Sequence, residues 1–204
     1  MSPSHPAELR LLGFEGTTAP AELLKTISDG RAGGVILFAR NLGSPAETAS
    51  LVAALSSATP PGPPLIVAID QEGGRVQRLK APLTVWPPMM RLGDKRDLSL
   101  TEEVAFALGE ELRLFGVNVD FAPVCDVLSN PDNPVIGDRA FGTTPSHVAE
   151  QATAFLRGLE RAGVRGCPKH FPGHGDTSVD SHLALPLVDR PMESLLATEL
   201  PPGM

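Results

Sequence analysis

PLIVAID, residues 64–70, is a nearly unbroken apolar run that ends on a carboxylate. Prolines and a glycine bound it upstream, and the polar stretch QEGGRVQR (71–78) follows it. It shows no alternation of apolar and polar residues. A strand of that kind must be covered on both faces, as in a parallel sheet lying between layers. Four other runs have the same character: ELRLLGF (8–14), GGVILFA (33–39), GVNVDFAPV (116–124) and GVRGCPKHF (163–171).

Helical patterns lie between these runs, over 20–30, 44–58, 99–116, 145–163 and 192–200. Ser44 is placed to cap the second of them, with Pro45 at its first position. The first, third and fourth close at glycine, where a left-handed residue ends a helix at little cost. The alternation makes five βα units, which predicts a parallel sheet with right-handed crossovers. Two architectures satisfy it, a doubly wound sheet and a (β/α)8 barrel. Both place function at the C-terminal ends of the strands. No G-x-G-x-x-G or P-loop opens a helix here, which weighs against nucleotide binding.

Charged residues gather where this rule puts the site. Asp70 ends the third run, Asp120 lies in the fourth, and Lys169-His170 end the fifth. The fourth run also feeds a long loop, CDVLSNPDNPVIGDRAFGT (125–143), and loops of that length are usually functional.

Composition narrows the classes. The chain has 204 residues, 42% of them hydrophobic, enough for one domain with a real core. A net charge of −7 argues against nucleic acid and anionic membrane as partners. The apolar runs are too short to cross a bilayer, and MSPSHPAELR lacks the apolar centre of a secretory signal. Cys125 and Cys167 read as two reduced, buried thiols. A cytoplasmic location is the expectation.

KHFPGHGDTSVDSH (169–182) holds three of the five histidines. Three chemistries suit it. His170, His174, Asp176, Asp180 and His182 are of types that bind zinc, but Pro172, Gly173 and Gly175 preclude the helix that would set His170 and His174 on one face. In an extended segment Asp180 and His182, two apart, point the same way. The carboxylate would then fix the imidazole tautomer and raise its basicity, making a positioned general acid/base. Asp70, Arg78, Arg139, Lys169 and His170 together offer the mixed donors and acceptors that sugar hydroxyls require.

The motifs GGVILFARN, IDQEGGRVQRL, NVDFAPVCDV, NPVIGDRAFG and KHFPGHGDTSVDSHLALP, in this order, resemble the family 3 glycoside hydrolases, in the branch of bacterial β-N-acetylglucosaminidases. The resemblance runs over roughly residues 8 to 200. It implies a (β/α)8 barrel, no metal, no organic cofactor, and retaining hydrolysis through a glycosyl-enzyme intermediate. It assigns His182 as acid/base and Asp180 as its partner. It assigns Asp70, Arg78, Arg139, Lys169 and His170 to a terminal, β-linked N-acetylglucosamine, released in cytoplasmic peptidoglycan recycling.

The family's nucleophile is an aspartate on the seventh barrel strand, and no motif here corresponds to it. A complete barrel takes about 250 residues. The expectation is one domain over 1–204, truncated before strands six to eight and inactive by itself. The outer strands of an unclosed sheet would be open to self-association. The alternatives are a non-catalytic sugar-binding or assembly remnant and, more distantly, a metal-dependent hydrolase.

Overall fold

The computed structural model describes residues 10–177 and 190–203. In chain order its strands are β1 (Leu11–Leu12), β2 (Gly34–Leu37), β3 (Ile66–Ile69), β4 (Gln71–Gly73), β5 (Val76–Gln77), β6 (Val119–Asp120) and β7 (Arg165–Gly166). The helices are α1 (Ala21–Ser28), α2 (Pro45–Ser57), α3 (Met89–Lys95), α4 (Leu98–Leu114), α5 (Pro145–Arg161) and α6 (Met192–Thr198).

Five strands form one sheet in the order β1-β2-β3-β6-β7, and each neighbouring pair is parallel. Spatial order follows chain order throughout. That decides between the two candidate architectures, because a doubly wound sheet reverses its strand order near the middle and a barrel does not. The chain has the TIM-barrel type of α/β fold, with five strand–helix units among the described residues.

The ladders are shorter than the apolar runs. β2 and β3 pair over four residues, Gly34↔Ile66 to Leu37↔Ile69. Beyond the ladders the runs continue as buried chain through Val117, Ala122 and Val124, with one more parallel bridge between Val124 and Lys169. Val35, Leu37, Val67 and Ile69 are sealed by Leu51, Leu55, Leu108, Leu112, Phe155 and Leu159 in a single core cluster.

Helix ends follow local chemistry. Ser44 Oγ accepts from Glu47 N, while Glu47 Oε2 accepts from Ser44 N, a reciprocal cap that satisfies two backbone donors. Asp97 caps α4 through Leu100 N at 3.0 Å. The glycines after α4 and α5, Gly116 and Gly163, both sit at φ +77°, the conformation such a stop needs.

Two elements were not anticipated, α3 and the β4–β5 hairpin. The hairpin turns on Gly73 and Gly74, both at positive φ. Its hub is buried Gln71, whose Oε1 accepts from Arg78 N and Leu79 N and whose Nε2 donates to Leu79 O. The expectation of two buried thiols needs correction. Cys125 is buried, but Cys167 is exposed. It follows β7, which has a neighbour on one side only among the described residues.

α4 and α5 pack at a spacing set by small residues. A Cβ at Gly158 would lie 2.2 Å from Glu102 O, and one at Gly109 would lie 2.6 Å from Ala162 Cβ. Neither site tolerates a larger side chain without moving a helix. Gly158→Val is expected to destabilise by about 1–3 kcal/mol, read as a lower urea midpoint with an unchanged slope.

Candidate active site

The C-terminal ends of β3, β6 and β7 converge on a cluster of charged side chains. Asp70 directly follows β3. The β4–β5 hairpin then returns the chain antiparallel, bringing Arg78 back so that its Nη2 lies 3.3 Å from Asp70 Oδ2. Lys169, beyond β7, reaches across the mouth. Its Nζ lies 2.7 Å from Asp70 Oδ1 and 2.5 Å from Glu72 Oε1.

Glu72 is the hub of the cluster. Its side chain is 1% exposed, and it also accepts from Arg139 Nε at 2.8 Å and Nη2 at 2.9 Å. Arg139 Nη1 donates to Val135 O, so the guanidinium joins the long loop to the hairpin. This forked geometry gives an arginine–carboxylate pair both strength and direction. Arg139 thus enters the cluster chiefly as a brace, with one N–H on each terminal nitrogen left for a ligand. Arg78 Nε is buried and has no hydrogen-bond partner among the described residues.

His170 is held from below. Its Nδ1 lies 2.7 Å from Asp126 Oδ2, and the Asp126 side chain is fully buried. Nδ1–H donation to that carboxylate orients the ring and turns the other ring nitrogen, Nε2, away from Asp126. Asp126 Oδ1 also accepts from His174 N at 2.7 Å. The loop after His170 is further fixed by Asn133, whose Nδ2 donates to His174 O and Gly175 O. The same amide's Oδ1 accepts from Val135 N and Ile136 N.

Of the residues expected from sequence to share a site, Asp70, Arg78, Arg139 and Lys169 are linked through Asp70 and Glu72, while His170 follows Lys169 in the chain and sets its ring on Asp126. Asp180 and His182 lie outside the described residues. Sequence reasoning missed Glu72, Asp126 and Asn133. Glu72 had a readable signal, since it stands two residues after Asp70 and alternate residues of an extended chain share a side. Among the described residues no three His, Cys, Asp or Glu side chains converge as metal ligands would.

Burial acts to push the Asp70 carboxyl up, but the hydrogen bonds and charges of Lys169 and Arg78 outweigh it and hold Asp70 below its ordinary value. Arg139 is held above its ordinary value because Glu72 more than offsets its burial. Burial and the neighbouring Asp126 charge push the Cys125 thiol up to about 12.

A charged mouth at the strand ends of a parallel barrel-type sheet defines a class, the α/β-barrel domains, which carry their sites at this end. Comparison narrows the class. Residues 7–203 match the glycosyl hydrolase family 3 N terminal domain, and the chain belongs to that family. It is 45% identical over 205 residues to beta-hexosaminidase A of Pseudoalteromonas piscicida, covering 92% of this chain and 34% of that protein. It superposes with a TM-score of 0.91 and 45% identity on a family 3 beta-N-acetylglucosaminidase from Paenibacillus sp. str. FPU-7, covering 97% of this chain and 38% of that one. NagZ from Neisseria gonorrhoeae, solved with N-trifluoroacetyl-D-glucosamine, matches at TM-score 0.87 and 35% identity, over 95% and 58% of the two chains. The chain thus spans between a third and three fifths of the length of these relatives.

Two solution properties follow. Cys125 should resist a thiol reagent in the folded protein while Cys167 reacts, since the thiolate is the reactive form; counting modified thiols before and after denaturation checks this, and two fast thiols would contradict the burial. Asp70, with a depressed folded-state pKa, contributes stability that is fully present above its ordinary value of 3.8 and is lost as pH falls through the lower folded value. The stability difference between wild type and Asp70→Asn should therefore be full at neutral pH and shrink below about pH 4, measured by urea denaturation across pH.

Proposed function

We propose that this domain supplies the sugar grip and the proton transfer of a retaining β-N-acetylglucosaminidase acting on terminal β-linked N-acetylglucosamine. The observation that carries this reading is the meeting of Asp70, Arg78 and Lys169, with His170 next in the chain, at the mouth of a family 3 fold. A sugar ring presents hydroxyls that each need both a donor and an acceptor. Lys169 has three N–H groups, two of them engaged by Asp70 and Glu72. Its third N–H, the part-exposed guanidinium of Arg78 and the part-exposed ring of His170 are groups a hydroxyl can satisfy. The names of the relatives, and the N-acetylglucosamine derivative bound to one of them, support the substrate class.

In this reading His182, oriented by Asp180, protonates the glycosidic oxygen as its bond to the anomeric carbon breaks and a carboxylate nucleophile bonds to that carbon. His182 then takes a proton from the water that releases the sugar. None of this chain's residues is assigned as the nucleophilic carboxylate. Cytoplasmic turnover of cell-wall saccharides is the proposed setting, and it rests on the family resemblance.

The test is calorimetry with N-acetylglucosamine, paired with a chromogenic assay of protein carrying this domain. Asp70→Ala, Arg78→Ala and Lys169→Ala should each weaken binding by about 1–3 kcal/mol, the cost of leaving buried polar partners unpaired. His182→Ala should lower turnover by about 10²–10⁴-fold on substrates with poor leaving groups, and by less on activated ones, which need little protonation. Unchanged binding in all three folded ring variants would overturn the sugar site, and unchanged kinetics would remove His182 from it.

A further inference from the structure

Beneath the charged ring lies a carboxyl that this chemistry does not use. Asp120 ends β6 and is fully buried. Its Oδ1 accepts from Gln71 N at 2.9 Å, at the corner where β3 turns into the hairpin. Its carbonyl accepts from Cys167 N at 2.8 Å, and Phe121 N donates to Ile69 O at 2.8 Å. Asp120 therefore sits between the strand that presents Asp70 and the segment that leads to Lys169.

The other carboxyl oxygen, Oδ2, is buried and has no hydrogen-bond partner among the described residues. An ionised carboxylate taken out of water needs compensation at both oxygens, whereas a neutral acid needs far less. The charged groups that act on it are Lys169, which favours ionisation, and Asp70 and Glu72, which oppose it. Lys169 already serves both of those carboxylates. Burial, the dominant influence, pushes the Asp120 carboxyl well above its ordinary value.

We propose that Asp120 is a positioning residue that works as a neutral carboxylic acid, holding the β3–β4 corner through the Gln71 amide without placing a third negative charge beside Lys169. Two carboxylates leave one N–H of the Lys169 ammonium for a ligand, and a third would compete for it. The substrate half of this inference rests on the sugar-binding reading above. The protonation half does not.

Asparagine matches a protonated aspartate in size and keeps an oxygen for the Gln71 amide. Infrared difference spectroscopy of the full chain at neutral pH, wild type minus Asp120→Asn, should show a protonated-carboxyl C=O band. Asp120→Asn should bind N-acetylglucosamine within about threefold of wild type with the same pH profile, while Asp120→Ala, which frees the Gln71 amide, should lose about tenfold. Absence of the band at neutral pH would overturn the inference. So would an Asn variant as weak as the Ala variant, since that shows a charge at work. If wild type itself fails to bind the sugar, the functional reading falls, and the band still decides the state of Asp120.

Discussion

One ammonium group holds the mouth together. Lys169 Nζ bridges Asp70 and Glu72, joining the end of β7 to the end of β3 across the intervening β6, between residues 99 apart in the chain. Three charges this poorly exposed tolerate one another only in a fixed arrangement. Removing one partner would leave the others buried and uncompensated, which costs more than the pair itself contributes. The strand order, the hairpin and the loop that carries Arg139 all have to be in place before this bridge can close.

The supporting structure is built to keep that arrangement from relaxing. Gln71 seals the hairpin with three hydrogen bonds. Glu72 ties it to the long loop through Arg139. Asn133 and Asp126 then tie that loop to the turn after His170. The 125–143 loop looks open by length alone. It is instead packed, with Ile136 and Ala140 buried against Val124. A hydroxylated ligand would thus meet donors and acceptors already held in position, at little further cost in ordering.

Much of the fold was legible in the residues. Five apolar runs marked five parallel strands, and Ser44, Pro45, Gly116 and Gly163 marked helix ends, because capping is decided within a few residues. The hairpin was not legible. It is two and three residues long and depends on two positive-φ glycines, too little chain for a periodic signal. Cys167 was misjudged because an apolar run implies cover on both sides, and β7 lies at the edge of the described sheet. Asp70, Arg78, Arg139 and Lys169 were legible as residue types through the family motifs. Their roles were divided only by packing, which exposes Lys169 and Arg78 in part and turns Glu72 inward.

The sequence by itself determined the five strand–helix units seen among the described residues, where most helices begin and end, and which strand ends carry charge. These follow from periodicity, caps and apolar runs, all short-range. Only the tertiary structure decided that Glu72 and Asp126 are the buried carboxylates behind Lys169 and His170, and that Asp120 Oδ2 has no partner among the described residues. Each of these depends on groups 44 to 99 residues apart coming within hydrogen-bond distance or failing to do so. Burial and long-range pairing set the charge of a carboxyl, and neither can be read from its neighbours in the chain.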